Sequence, residues 1–256
     1  MTDIENKQLN SYLELNTLFY ETIRPTPPDD SYQFYRNYIS KADGKILEPM
    51  CGSGRYLIPY LAEKFIIDGF DASSFMLDKL KTKLLEQSLH AKVWQAFCEE
   101  PLLHHQYKLI FIPSGSFGHI IELDQIKITL ENFYNALDKN GVLVFEAETK
   151  YALPSNVDAN IVQEVVVNKH QYIKLIREVN IDREIVNCVD RYELYKGENL
   201  IKSEKELFNV RLYNNYHLLV DLIKQAGFKN IKLIKAYDFN QTPGSHDASI
   251  IYECTK

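Results

Sequence analysis

The stretch "ILEPMCGSGRYL", residues 46–57, joins an apolar run, a carboxylate and two glycines one position apart. A short apolar run reads as a buried strand, and a glycine turn leading into an amphipathic stretch reads as a strand passing into a helix. Such a turn sets backbone N–H groups at the carboxyl edge of a parallel sheet, where open α/β folds hold their ligands. Gly52 and Gly54 permit positive φ angles and close backbone approach. Taken alone, the glycine pair is weak evidence, since a plain tight turn in an α/β protein also accounts for it, so its surroundings decide.

Outward from this stretch, apolar runs near 45–49, 66–70, 91–96, 107–113 and 141–147 alternate with helical patterns near 55–64, 74–87 and 124–138. That rhythm predicts an open, mostly parallel sheet, with the last of these helices running to a stop at Asn140 and Gly141. Upstream, "LNSYLELNTLFYETI" carries Tyr12, Leu15, Leu18, Phe19 and Ile23 at helical spacing and ends at Pro25, Pro27 and Pro28. A second helix follows in "YQFYRNYIS". Residues 151–212 break the α/β rhythm with alternating, turn-punctuated segments that predict three or four inserted antiparallel strands. The rhythm then resumes with the helix "YHLLVDLIKQAGF" and the strand "NIKLIKAYDF". The loop before "ASIIYECT" is too short for a parallel crossover, so the last pair is antiparallel. Three regions result: an N-terminal helical lid (1–43), a core (44–150 and 213–256) and a β insertion (151–212).

The second strand ends at Asp71, seventeen positions beyond Gly54, the place from which a carboxylate accepts both hydroxyls of an adenosine ribose. Two cofactor classes use that arrangement. Dinucleotide binders need a third glycine, and here that position is Leu57. Glu48, four positions before Gly52, would sit poorly beside a pyrophosphate and well beside an ammonium and a sulfonium.

"LEPMCGSGR" followed by "GFDASSFML" resembles the class I S-adenosylmethionine-dependent methyltransferases, most closely their small-molecule branch. The resemblance covers about 45–147 and 214–254. It implies a Rossmann-like fold with a seven-stranded sheet whose last strand is antiparallel, and S-adenosylmethionine as cofactor with S-adenosylhomocysteine as product. By the same resemblance Glu48 would fix the glycine loop and its polar contacts to the methionine end, and Cys51, Gly52 and Gly54 would present backbone to the cofactor. Arg55 would open the next helix, Asp71 would hold the ribose, and Ala72 and Met76 would lie against adenine. Met50 replaces a common glycine, and Phe97 stands where an acidic residue often meets the adenine amino group, leaving that contact to Cys98 and Glu99. Lys108 takes the place of a common Asp as a matter of local structure.

Methyl transfer needs an aligned nucleophile more than a general base. In "IPSGSFGHI", Pro113, Ser114, Phe117 and His119 are candidate walls beside the methyl group, and the [DN]-P-P-[YF] signature of base and glutamine methylation is missing. Candidate catalytic residues are His119, Glu148 (on one strand face with Glu146) and Tyr20, an aromatic that would fold over the cofactor from the lid. Tyr172, Tyr192 and Tyr195 on the insertion are either packing residues or substrate contacts, and the insertion itself either roofs the site or forms a homodimer contact.

Bulk composition narrows the rest. A net charge of −6 without a basic cluster argues against nucleic acid and anionic membranes as partners and leaves a small-molecule methyl acceptor. The polar, acidic N-terminus and the lack of a long apolar run point to the cytoplasm. Cys51, Cys98, Cys188 and Cys254 lack metal-ligand or disulfide spacing, so no metal is expected. Two rivals stay open: a non-catalytic S-adenosylmethionine-binding module and a dinucleotide-dependent oxidoreductase.

Overall fold

The computed structural model describes residues 9–102, 106–154 and 160–256. Parts of the expected lid (1–8) and insertion (155–159) lie outside them. In chain order the elements are α1 (Glu14–Ile23), α2 (Asp29–Ile39), β1 (Ile46–Pro49), α3 (Leu57–Ala62), β2 (Ile67–Asp71), α4 (Ser74–Glu86), β3 (Val93–Gln95) and β4 (Tyr107–Ile112). They continue with α5 (Leu123–Ala136), β5 (Leu137–Glu148), β6 (Asn160–Asn168), β7 (Gln171–Asp182), β8 (Ile185–Lys196), β9 (Asn199–Arg211), α6 (Tyr216–Gln225), β10 (Asn230–Lys235) and β11 (Ser249–Thr255).

Seven strands form one sheet in the order β10-β11-β5-β4-β1-β2-β3. All pairs are parallel except those of β11, which runs antiparallel to both β5 and β10, as the short connecting loop requires. Strand order reverses between β1 and β4, where Ile46 pairs with Ile67 on one side and Leu109 on the other. A crevice opens at the carboxyl ends of strands at such a reversal. Side chains alternate across β4, so Ile110 and Ile112 pack with Leu130 and Phe133 of α5, while Leu109 and Phe111 pack with Leu57, Tyr60 and Leu80 on the opposite face.

The insertion is a four-stranded antiparallel meander, β6-β7-β8-β9. Helix α1 packs on it through Leu15 and Phe19 against Ile173, Leu175 and Tyr192, whereas α2 packs on the main sheet. The two lid helices therefore belong to different layers.

Several sequence expectations shift. Helix α5 stops at Ala136 rather than near 138, and the chain extends at once because Leu137 pairs with Tyr107. Asn140, at φ +60°, and Gly141 lie within β5 where its register against β4 shifts, and a Cβ on Gly141 would meet the Tyr107 carbonyl at 2.8 Å. They make a kink in a strand and do not stop a helix. Helix α3 is shorter than 55–64 because the glycine turn reaches Tyr56, and Tyr12 precedes α1, held at φ +54°. Lys108 pairs with Asp138 at 2.7 Å across the strand ends, a local contact as expected.

Candidate active site

A cavity of about 280 Å³ lies over the carboxyl ends of β1, β2 and β4, walled by the start of the lid and by Asn209 of β9. Tyr20, Glu48, Cys51, Gly52, Arg55, Asp71, Ala72, Met76, Phe97, Cys98, Pro113 and Ser114 all line it, so one pocket collects almost every expected cofactor residue. Gly54 is the exception. At φ +82°, with Leu80 Cδ1 2.5 Å from where a Cβ would stand, it seats the loop on α4 and presents nothing to the cavity.

The loop itself is held by Asp71. Its Oδ2 accepts the Gly52 N–H at 2.8 Å and its Oδ1 accepts the Ser73 N–H at 2.8 Å. Burial pushes the Asp71 carboxyl up to about 6, against the opposing pull of those backbone donors. Glu48 does not make the expected loop contact: it is 2 % exposed, and its Oε2 is buried with no hydrogen-bond partner. Burial, with Asp71 adding repulsion, raises its carboxyl well above the usual range. An unpartnered buried carboxylate oxygen is costly unless a donor arrives. Met50 adopts φ +56°, which explains why glycine is common there.

The lid closes one wall. Arg55 Nε donates to the Thr26 carbonyl at 2.8 Å, and Glu21 of α1 accepts from Ser53 Oγ at 2.5 Å and pairs with Lys83 of α4 at 2.8 Å. The lid is thus bonded to the residue between the two glycines.

At the far end, His119 donates Nδ1–H to the Asn209 carbonyl at 3.1 Å, since a carbonyl only accepts. Burial holds the imidazole below its ordinary value, so the ring is neutral and Nε2 accepts from Tyr12 Oη at 3.1 Å. Phe208 of β9 packs edge-on against both rings, its centroid 4.9 Å from His119 and 5.6 Å from Tyr12. Burial, Tyr20 and Asp71 together raise the Tyr12 phenol, which therefore keeps its proton.

Other candidates fall elsewhere. Glu148 lies under Gly115, outside the cavity lining, and its partner on the strand face, Glu146, accepts from Tyr237 Oη at 2.7 Å. Burial and then Glu146 raise the Glu148 carboxyl, and its side chain lies outside the lining of this cavity. Phe117 is fully buried against Phe145 and Tyr213, because its side chain turns into the core while Ser116 and His119 face the cavity. On the insertion, Tyr192 packs on Phe19 and Tyr172 stacks on Tyr195 at 4.9 Å; none lines the cavity. Sequence reasoning missed Tyr12 and Asn209. Tyr12 matched the helical pattern, and Asn209 contributes a backbone carbonyl, which no side-chain motif encodes.

Residues 46–141 match the model of a family described as a methyltransferase domain. A protein of Geobacillus sp. (strain WCH70), named as a methyltransferase still to be proven, is 22% identical over 140 residues. That match spans 53% of this chain and 57% of the relative. The S-adenosylmethionine-dependent methyltransferase from Clostridium acetobutylicum superposes with a TM-score of 0.75 at 20% identity, over 93% of this chain and 96% of that one. The sugar N-methyltransferase KedS8 from Streptoalloteichus gives 0.72 at 15% identity over 98% and 96%. CalS10, an amino pentose methyltransferase from Micromonospora echinaspora, gives 0.67 at 12% identity over 97% and 99%. Because these superpositions cover 93–98% of this chain, the chain carries the class I methyltransferase fold.

Proposed function

We propose that this protein transfers the methyl group of S-adenosylmethionine to the nitrogen of a small-molecule amine. The orphaned Glu48 Oε2 carries this reading. A buried carboxylate oxygen beside a glycine loop is satisfied by an ammonium group and would repel a pyrophosphate. Glu48 would hold the ammonium of the cofactor. Asp71 would accept the ribose hydroxyls on its remaining lone pairs, and Ala72, Met76 and Phe97 would wall the adenine.

When bound, the cofactor supplies an electrophilic methyl group on a sulfonium. Among this chain's own residues, Tyr12 and His119 are suited to the acceptor. The neutral imidazole leaves Nε2 basic, and the Tyr12 phenol bridges it to the cavity. Tyr12 Oη would accept an amine N–H and so hold the nitrogen lone pair in position. The methylated nitrogen carries the charge away as an ammonium, so the buried imidazole need not take up a proton during the transfer. The names of KedS8 and CalS10 place amino sugars first among acceptors to try.

Calorimetric titration with S-adenosylmethionine and S-adenosylhomocysteine, followed by mass spectrometry of a panel of amino sugars and other primary and secondary amines, tests the proposal. Binding followed by a 14 Da gain on an amine supports it. No heat with either ligand sinks it, and binding without turnover on any acceptor leaves a non-catalytic binding module.

A further inference from the structure

Helix α1 begins without a cap of its own. Leu13 occupies the N-cap and offers no side-chain acceptor, so the first N–H groups need partners from elsewhere. Strand β9, roughly 190 residues away in sequence, supplies them. Glu206 Oε2 accepts the Tyr12 N–H at 2.8 Å and the Asn16 side-chain amide at 2.7 Å, and Oε1 accepts the Leu13 N–H at 2.9 Å. Glu204 Oε2 accepts the Leu15 N–H at 2.7 Å, while its Oε1 pairs with Lys202 at 2.7 Å. Glu206 is 2 % exposed and, among the described residues, forms no ion pair. Its charge is balanced by these donors and by the positive end of the helix.

The same strand sets the Tyr12–His119 pair. Within four residues β9 places Glu206 on the Tyr12 backbone, the Phe208 ring against both side chains and the Asn209 carbonyl on His119 Nδ1. Tyr12 is a non-glycine residue at φ +54°, a conformation that persists only where its surroundings hold it. Ser73 Oγ, at the start of α4, donates to the Tyr12 carbonyl at 2.6 Å, so the peptide groups on both sides of Tyr12 are tied down.

We infer that Glu206 is a positioning residue that caps the lid helix from the insertion, holding α1 closed across the cavity and Tyr12 against His119. Because α1 is also bonded to the glycine loop through Glu21, the helix is a door fastened at one end to the cofactor side and at the other to the insertion. A ligand leaving past α1 would break the Glu206 end, where Glu206 bonds to three amides and the Lys202–Glu14 ion pair, at 2.5 Å, adds a contact between β9 and α1. The link to turnover rests on the proposed methyl transfer; the link to the lid does not.

The test compares the full-length protein with its Glu206→Gln variant, in which one carboxylate oxygen becomes an amide donor and can no longer accept. Amide hydrogen exchange by NMR on the ligand-free proteins is expected to quicken about tenfold at Tyr12 and Leu13, the effect of losing a helix cap, with Leu109–Ile112 of β4 unchanged. Chase of bound S-adenosylhomocysteine by stopped flow is expected to show about tenfold faster release, with kcat falling and the acceptor KM nearly unchanged. Glu204→Gln and Asn16→Ala each remove one bond and should give the same changes on a smaller scale, which keeps the test open if Glu206→Gln fails to fold. Unchanged exchange at Tyr12 and Leu13 overturns the capping role, and faster exchange with unchanged ligand release overturns the door. If the wild-type protein binds no S-adenosylhomocysteine, the fault lies with the proposed function, and the exchange data still decide whether Glu206 holds the lid.

Discussion

Asp71 makes ligand affinity depend on pH in a way its surroundings allow to be worked out. Its carboxyl is raised to about 6 by burial, from an ordinary 3.8. In the ligand-free protein a raised carboxyl favours the protonated form, so this group's contribution to stability is complete below pH about 4 and is lost as pH rises through about 6. The difference of about two pH units corresponds to on the order of 3 kcal/mol. Binding runs the other way. Only the ionised group can take both ribose hydroxyls while still accepting from Gly52 and Ser73. If the protonated form does not bind, the apparent Kd rises by the factor 1 + 10^(pKa − pH), about elevenfold at pH 5 and about 1.1-fold at pH 7. Calorimetric titration with S-adenosylhomocysteine across pH 5–8, on wild type and Asp71→Asn, measures it. The variant should bind about tenfold or more weakly at pH 7 and lose this portion of the pH slope. Wild-type affinity that stays level between pH 5 and 7, or an Asp71→Asn slope as steep as wild type's, refutes the reasoning.

Glu48→Gln should raise the unfolding midpoint at neutral pH, because burial opposes an ionisation that the unfolded chain allows, while weakening S-adenosylhomocysteine about tenfold; thermal unfolding and calorimetry report the two opposite signs. Gly54→Ala combines a positive φ with a 2.5 Å approach to Leu80 and should cost about 2–4 kcal/mol in urea unfolding. Gly52→Ala meets nothing nearer than Met76 Sδ at 3.9 Å and should cost only the left-handed strain, about 1–2 kcal/mol. Tyr12→Phe and His119→Ala should each lower kcat about tenfold with cofactor affinity intact, and the double variant should lose little more because the two act as one unit. Matched amino and hydroxy acceptors in competition should give methylated amine in excess, as read by mass spectrometry.

The α/β order and its antiparallel last pair were legible because each strand is a short apolar run and each helix carries a buried stripe such as Leu77, Leu80 and Leu84. That the candidate cofactor residues share one cavity was legible for a related reason: Glu48, Gly52 and Asp71 lie at or just beyond two consecutive strand ends, close in sequence and in space. At the proposed acceptor end only His119 was legible, and its partner Tyr12 was not. Tyr12 and His119 are 107 positions apart, and both are placed by β9, a further 90 positions from His119. Local pattern assigned Tyr12 to a helix because its spacing to Leu15 and Phe19 fits one. The long-range bond to Glu206 overrides that and fixes it in the left-handed region. Glu148 falls outside the cavity lining for a different reason. Strand alternation put it on the same face as Glu146, yet the turn at Gly115 covers its side chain, and alternation says nothing about what a neighbouring loop covers.

The charges around the cavity connect the cofactor half to the choice of acceptor. Its lining brings the carboxylates of Glu48, Asp71 and Glu99 together with one guanidinium, that of Arg55, which is already committed to the Thr26 carbonyl. A unit positive charge 4 Å from a carboxylate is worth about 4 kcal/mol at an effective dielectric near 20. An uncharged amine that receives a methyl group becomes an ammonium, so the cavity keeps its positive charge across the transfer and the carboxylates stay balanced. A hydroxyl acceptor becomes a neutral ether only by surrendering its proton, and the carboxylates then face one another unbalanced until that proton is retained nearby. His119 is poorly placed to retain it, because burial disfavours the imidazolium. Under the proposed function, the electrostatics that suit Glu48 and Asp71 to a cationic cofactor therefore also favour nitrogen over oxygen at the other end of the cavity. The weak basicity of His119 is adequate for an amine, whose own nitrogen carries the charge through the transition state.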